Sequence, residues 1–210
     1  MIRVAVADDH AVVREGLRQI LSAQPDLSLA GDAANHGEVM QLLRREPCDV
    51  LVLDVAMPGK NGIDTLKQVK AEWPRLPVLI LSMYPEDQYA FRAFKAGASG
   101  YLTKMAAADE LVGAIRHVVR GRRYITPELA EALAAALDHD HDAPAHVALS
   151  DREFQVLRQI ATGKTLAQIG EAMSLSPKTV SVYRARLLAK LHLSTTADLL
   201  RYALEHGLVD

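Results

Sequence analysis

The chain has 210 residues, which suits one large or two small domains, and half of them are hydrophobic, so a sizeable core can form. A net charge of −2 means that the chain as a whole does not read as a nucleic-acid binder, and the single cysteine, Cys48, excludes an intramolecular disulfide and suits a reducing compartment. No apolar run approaches the roughly 20 residues that a membrane helix needs, and Met1-Ile2-Arg3-Val4 enters a strand directly instead of reading as a signal peptide.

Over the first ~125 residues apolar runs alternate with amphipathic stretches. The runs Ile2–Ala7, Leu27–Gly31, Val50–Leu53, Val78–Leu81 and Gly100–Leu102 are predicted strands. Between them lie predicted helices at Val12–Ala23, Glu38–Arg45, Ile63–Trp73, Asp87–Ala96 and Ala107–Arg120. Buried strands spaced by helices predict a parallel, doubly wound α/β sheet, and five such units match the flavodoxin-like order. Cys48, just before a strand, reads as a small core residue.

Two predicted strands end on acids. Asp8-Asp9 closes the first, and Asp54 closes Val50-Leu51-Val52-Leu53. If the two strands are neighbours, three carboxylates meet at the C-terminal edge of the sheet, where open α/β sheets place their chemistry. Their mutual repulsion is relieved by a hard divalent cation such as Mg²⁺.

Thr126-Pro127 predicts another helix, with proline at its first position, running through Leu129, Leu133 and Leu137. The polar run Asp138-His139-Asp140-His141-Asp142-Ala143-Pro144 follows and reads as a linker, not a metal site. Residues 123–148 are therefore assigned to a helix and linker, and residues 149–210 to a small all-α domain. There Ser150-Asp151-Arg152-Glu153 and Thr165-Leu166-Ala167-Gln168 have capping-box spacing. The second opens a short helix to about Met173, Ser174-Leu175 turns the chain, and Ser176-Pro177 starts a longer helix to about Leu191. A short helix, a tight turn and a longer helix is the helix-turn-helix arrangement. The stretch Ser176–His192 holds Lys178, Arg184, Arg186 and Lys190 and no acid. A last helix spans Ala197–His206 and stops at Gly207.

Asp8-Asp9, Asp54 with Met57-Pro58-Gly59, Ser82, Tyr101 and Lys104 together resemble the signature of a two-component receiver domain, over residues 1–122. No one of these matches is specific; the ordered set is. The resemblance implies that Asp54 is the phospho-acceptor nucleophile. It implies that Asp9 and Asp54 hold Mg²⁺, with Asp8 acting through water and the backbone carbonyl of Ala56 as a further ligand. Lys104 would contact one phosphate oxygen and the Ser82 hydroxyl another, with Tyr101 turning inward behind it. His10 completes an Asp-Asp-His string and is read as a loop histidine that shapes the entrance, not as a ligand. An acid at position 56 would suit a phosphatase of the haloacid-dehalogenase type; alanine there supplies no general acid, so the chain is not expected to be an enzyme.

The stretches Leu149-Ser150-Asp151-Arg152-Glu153, Val156-Leu157, Ala161-Thr162-Gly163, Ile169-Gly170 and Ser176-Pro177-Lys178-Thr179-Val180 resemble a LuxR-type helix-turn-helix domain. With the receiver in front, the whole resembles the NarL/FixJ class of response regulators. Gly170 stands where the resemblance would put alanine, and it is expected to loosen its helix. On the longer helix, Val180, Leu187 and Leu191 share one face with Leu188 at its edge, and Lys178, Ser181, Val182, Ala185, Arg186 and Ala189 lie opposite. An apolar Val182 on the exposed face suits a thymine methyl in the major groove. Lys178, Arg186 and Lys190 are set to neutralise phosphates, and Thr179 and Tyr183 to hydrogen-bond the backbone. Arg184 falls near the core face and is expected to pair with an acid.

These readings combine into a cytoplasmic bacterial transcription regulator that takes a phosphoryl group from a sensor histidine kinase. It is expected to bind double-stranded promoter DNA as a homodimer, with no membrane association. The last helix, through Leu199 and Tyr202, is the expected dimer contact. The rival reading is a phosphorylation-independent DNA-binding regulator with a degenerate receiver; the intact acidic set argues against it.

Overall fold

The computed structural model describes residues 1–83, 86–106, 108–127, 129–131, 145–173 and 175–209, with the side chains of all but 86–88 and 147. Strands β1 (Ile2–Ala7), β2 (Leu27–Ala33), β3 (Val50–Leu53), β4 (Val78–Ser82) and β5 (Gly100–Thr103) alternate with helices α1 (Ala11–Ser22), α2 (His36–Arg45), α3 (Gly62–Glu72), α4 (Glu86–Lys95) and α5 (Ala108–Val119). The five strands form one parallel sheet in the order β2-β1-β3-β4-β5. The chain therefore steps outward from β1 to β2, then reverses to β3, and that reversal opens a crevice between the C-terminal ends of β1 and β3.

Side chains alternate across the strands. Val4, Val6, Val50, Val52, Leu79, Leu81 and Leu102 face one layer, where Leu17 and Leu21 of α1 meet Leu111, Val112, Ile115 and Val118 of α5. Ala5, Ala7, Leu51, Leu53, Ile80 and Tyr101 are also buried and face the other layer, along which α2, α3 and α4 lie in a row. Burial on both faces is what makes these strands continuous apolar runs.

Element ends agree with the sequence reading to within one or two residues. The two-residue differences are α2, which begins at His36, and β2, which continues past Gly31 to Ala33. It carries one extra residue, Ala30, at a register shift opposite Val4 and Ala5, and pairing then resumes through Ala7 and Ala33. Gly31 is not a strand end but a close approach: a Cβ there would lie 2.5 Å from Leu42 Cδ1.

The chain divides into two compact units, Met1–Ala134 and Ala135–Asp210. The helix predicted from Thr126-Pro127 begins as expected, with residues 127 and 129–131 helical; its remainder and the linker at 138–144 lie outside the described residues. In the second unit a 3-10 turn (Ala145–Ala148) precedes α6 (Asp151–Ala161), α7 (Leu166–Met173), α8 (Pro177–Lys190) and α9 (Thr196–Glu205). Both expected capping boxes form. Ser150 and Glu153 cap α6 reciprocally, and Thr165 and Gln168 do the same for α7. Ser176 accepts from the Thr179 amide ahead of Pro177 on α8. Phe154, Leu157, Ile160, Ile169, Val180, Leu187, Leu191 and Leu199 fill the core of this unit.

Gly170 has a different role from the one expected. A Cβ there would stand 2.6 Å from the Leu175 carbonyl oxygen, and Leu175 N–H donates to the Gly170 carbonyl at 2.7 Å. The turn between α7 and α8 thus closes directly onto Gly170. The glycine costs about 1 kcal/mol of helix propensity and admits a tighter turn.

Candidate functional site

Backbone pairing brings the acids together. Ala7 and Leu53 are register partners, and Asp54 N–H continues the ladder to the Ala7 carbonyl at 2.8 Å. Asp8 N–H donates to the Ala33 carbonyl at 3.0 Å. The strand ends are therefore zipped together just where their aspartates begin. The loop after Asp54 folds back equally tightly, with Gly62 N–H donating to the Val55 carbonyl at 2.9 Å. A Cβ on Gly62 would fall 2.0 Å from the Asp54 carbonyl oxygen, so only glycine fits.

Asp8 and Asp54 are each 1% exposed, while Asp9 sits nearer the rim. Lys104 reaches in from the end of β5: its ammonium is 2.5 Å from Asp8 Oδ2 and 2.9 Å from Asp54 Oδ2. Its backbone N–H donates to the Ser82 carbonyl at 2.7 Å, which anchors the lysine to the end of β4. Ser82 and Tyr101 are fully buried; Ser82 pairs in register with Thr103, and Tyr101 points inward instead of along the surface. Ala56 lies half-buried in the loop after Asp54, with its amide close enough to lower the Asp54 pKa slightly.

The electrostatics leave this pocket short of positive charge. Burial raises the Asp54 pKa, and the attraction of Lys104 offsets only part of that. Burial alone would lower the Lys104 pKa, but its bonds to Asp8 and Asp54 outweigh it and hold the amine protonated. Among the described residues Asp54 Oδ1, a buried atom, has no hydrogen-bond partner. One ammonium faces three carboxylates, and an unpaired buried carboxylate oxygen is costly. The residues therefore fit a divalent cation: Asp8, Asp9, His10 and Asp54 each offer a donor atom, all within 4.8 Å of one another.

Two side chains here differ from, or were missed by, the sequence reading. His10 does more than shape the entrance: its Nδ1 lies 2.7 Å from Asp9 Oδ1 and 3.3 Å from Asp8 Oδ1. Arg14 was missed altogether. It donates through Nη1 to the Asp8 carbonyl at 2.7 Å and through Nε to Asp32 at 2.8 Å, pinning the first turn of α1 to the acidic loop. An arginine one turn into the helix after Asp-Asp was the available signal; its partner Asp32 lay in a segment read as loop.

On α8 of the second unit the buried face is the one expected, with Val180 and Leu187 inside and Leu191 closing it. Lys178, Val182, Ala185 and Arg186 are exposed, and Thr179, Ser181 and Tyr183 are half-exposed beside them. Val182 keeps 47% of its surface in solvent. Thr179 Oγ1 is 2.8 Å from Ser176 Oγ, at the positive end of the helix. Lys178 and Arg186 have no ion-pair partner among the described residues.

Lys190, expected as a phosphate contact, is engaged elsewhere. Its ammonium lies 2.7 Å from Glu153 Oε2, the same buried oxygen that accepts from Ser150 N–H and Oγ. Among the described residues Arg184 finds no acid: Nη1 donates weakly to Thr196 Oγ1 at 3.4 Å, and Nε is buried without a partner. The dimer contact expected at Leu199 and Tyr202 also needs revision. Leu199 is 0% exposed, and the Tyr202 hydroxyl accepts from His146 N–H at 3.2 Å while its ring stacks on His206 at 4.0 Å. Leu204 is a large apolar residue of α9 that is exposed.

The sequence matches the family model for the response regulator receiver domain over residues 4–116 and that for bacterial regulatory proteins of the luxR family over residues 147–203. It is 37% identical to the response regulator GacA of Pseudomonas aeruginosa, over 100% of this chain and 99% of GacA. It is 34% identical to the response regulator UvrY of Escherichia coli K12, over 99% of this chain and 96% of UvrY. Among solved structures, RcsB from Salmonella enterica serovar Typhimurium, bound to promoter rprA in the presence of phosphomimetic BeF3−, superposes with a TM-score of 0.68 at 26% identity, covering 96% of this chain and 98% of RcsB.

Proposed function

The chain belongs to the two-component response regulators of the NarL/FixJ class, a receiver followed by a LuxR-type DNA-binding domain, and we propose that Asp54 is the residue through which it is switched. Members of this class are phosphorylation-controlled, DNA-binding transcription regulators, and that is the function of this chain. The observation that carries the role of Asp54 is its carboxylate: buried, held by Lys104 through one oxygen and, among the described residues, unpartnered at the other.

The donor is a phosphohistidine on a sensor histidine kinase. An Asp54 oxygen bonds to phosphorus as the phosphorus–nitrogen bond breaks, and the imidazole leaves with the electron pair. Lys104 then meets a phosphoryl oxygen as a fixed positive charge, and the Ser82 hydroxyl at the neighbouring strand end donates to another. Asp8, Asp9, Asp54 and the Ala56 carbonyl would hold Mg²⁺, which when bound neutralises the charge gathered on the transferring group. Tyr101, buried behind Ser82, packs against the repositioned strand end and carries the change to the α4–β5–α5 surface. Among the described residues no helix is long and apolar enough to cross a membrane, and a cytoplasmic location follows from the kinase and DNA partners.

The DNA surface is the exposed face of α8. Lys178 and Arg186 neutralise phosphates, Thr179, Ser181 and Tyr183 hydrogen-bond them, and Val182 with Ala185 meets base edges. The RcsB complexes with promoter DNA support this reading, as does the exposure of Val182. Two chains would bind as a homodimer on two half-sites.

Incubation with acetyl phosphate and Mg²⁺ should add one acid-labile phosphoryl group per chain, measured by mass. Asp54→Asn and chelation of Mg²⁺ should each abolish it. Equal labelling of the Asn variant would place the acceptor elsewhere.

A further inference from the structure

The extra residue in β2 decides which layer Asp32 faces. Before it, Ile2, Arg3 and Val4 pair with Leu27, Ser28 and Leu29; after it, Ala5, Val6 and Ala7 pair with Gly31, Asp32 and Ala33. Paired residues of neighbouring strands share a face. Gly31 therefore shares the face of Ala5 and lies against Leu42 of α2, while Asp32 shares the face of Val6, in the layer of α1 and α5. In an unbroken register Asp32 would stand opposite Ala7 and face the layer of α2 instead. Bulges beside functional sites commonly re-aim a side chain in this way.

Two arginines of α1, one turn apart, take up the re-aimed carboxylate. Arg14 Nε donates to Asp32 Oδ2 at 2.8 Å and Arg18 Nη2 to Asp32 Oδ1 at 2.9 Å. Arg14 is the inner of the two, with 19% of its side chain in solvent against 48% for Arg18. Its Nη1 goes on to donate to the Asp8 carbonyl at 2.7 Å. The rest of Asp8 is held as well: its N–H donates to the Ala33 carbonyl, and its Oδ1 accepts from His10 N–H at 2.8 Å. The peptide joining Asp8 to Asp9 is thus fixed at its oxygen by a guanidinium whose own rotation Asp32 stops. A hydrogen bond from a cation is among the stronger ones, and the planar guanidinium fork serves both acceptors at once.

We propose that Arg14 is a positioning residue for phosphoryl transfer: oriented by Asp32, it fixes the Asp8–Asp9 peptide and so sets the spacing of the two carboxylates for Mg²⁺ before the ion arrives. The inference rests on reading the acidic pocket as the Mg²⁺ and phospho-acceptor site, and adds the pair that orders it. Arg14 acts through the backbone of Asp8 and is itself no ligand of the ion. Groups that orient the ligands of a metal typically account for roughly 10–100-fold in its affinity. Charge alone predicts the opposite sign, because removing a cation beside the pocket would tighten Mg²⁺ binding.

Calorimetric titration of Mg²⁺ into the full-length protein tests this, paired with the rate of acetyl phosphate labelling at each Mg²⁺ concentration. Arg14→Ala should weaken Mg²⁺ about tenfold. It should raise the Mg²⁺ needed for half-maximal labelling by the same factor and leave the rate at saturating Mg²⁺ within about twofold, as a loss of positioning for the ion requires. Arg14→Lys, which can reach the Asp8 carbonyl but lacks the fork, should fall between the wild type and Arg14→Ala. Asp32→Asn should shift Mg²⁺ in the same direction, and combining it with Arg14→Ala should add nothing further, since Asp32 acts through Arg14. Arg18→Ala, which loses a bond to Asp32 but none to Asp8, should match the wild type. Mg²⁺ affinity that is unchanged or tighter in Arg14→Ala, or a loss as large in Arg18→Ala, overturns the proposal and leaves the acceptor reading standing. Wild-type protein that takes up no phosphoryl group at any Mg²⁺ concentration overturns that reading instead.

Discussion

At the scale of single residues, Asp54 sets function against stability. Burial raises its pKa above the usual carboxylate range. A carboxyl whose folded pKa is raised contributes stability that is fully present below its unfolded pKa and is lost as pH rises through the folded value. Around neutral pH its charge is therefore a cost, met in part by Lys104 and in full only by a cation. Asp54→Asn removes the charge while Lys104 keeps Asp8 as its partner. In the presence of a chelator that variant should melt above the wild type, by about 1 kcal/mol of added stability. Added Mg²⁺ should then raise the wild-type melting temperature more than that of the variant. An Asn variant that melts below the wild type without metal would mean that the ion pair with Lys104 outweighs desolvation. The residues of this pocket were legible in the sequence because each sits where an apolar run stops. The orientation of His10 was not, because it depends on the turn geometry after β1, and neither was the Arg14–Asp32 bond between two separate elements.

At the scale of elements, α8 separates structural from contacting residues. Its heptad-like apolar spacing predicted the buried face correctly, since helical periodicity is a local property. It could not show that Lys190 is tied to Glu153, 37 positions away. Burial pushes the Glu153 pKa up, but its bonds to Lys190 and Ser150 outweigh that and leave it lowered. Its contribution to stability is thus present above the normal glutamate pKa and is lost as pH falls through the lowered folded value. Lys190→Ala should destabilise the DNA-binding domain by about 1–2 kcal/mol, a figure discounted because Lys190 is half-exposed. It should leave the salt dependence of DNA binding nearly unchanged. Lys178→Ala and Arg186→Ala should do the opposite, each flattening the salt slope by roughly one unit with little effect on the melting temperature. Binding isotherms over a range of salt, paired with thermal melts, distinguish the two classes. A full unit of slope lost on Lys190→Ala would return that lysine to the phosphate contacts.

Val182 tests the other half of the helix. Its exposure means that truncation removes little packing, so Val182→Ala should leave both stability and the salt slope alone. It should cost on the order of 1 kcal/mol at one base pair only. Replacing the contacted thymine by uracil should penalise the wild type and not the variant. Equal loss on specific and random DNA would assign Val182 to support of the helix instead of readout.

At the scale of the whole molecule, the sequence divides into a doubly wound receiver and a helical DNA-binding unit because two periodicities of burial follow one another along the chain. The order of strands was legible from the alternation of five strand–helix units, which matches the flavodoxin-like order. Which leucine of α9 is exposed was not, since Leu199 and Leu204 both fit an amphipathic pattern and only packing shows that the first is core and the second exposed. If Asp54 at the end of β3 takes a phosphoryl group, its effect on α8 is expected to come from a shift in which states of the protein are populated. A fragment beginning near His146 should therefore bind promoter DNA without a phosphoryl donor, while the full-length protein should require one for its highest affinity. Promoter-DNA affinity of the full-length protein, measured with and without beryllofluoride and Mg²⁺, is the most direct test. The wild type should gain affinity on addition of beryllofluoride and Asp54→Asn should not. An identical gain in the Asn variant, or none in the wild type, would contradict control of DNA binding through Asp54.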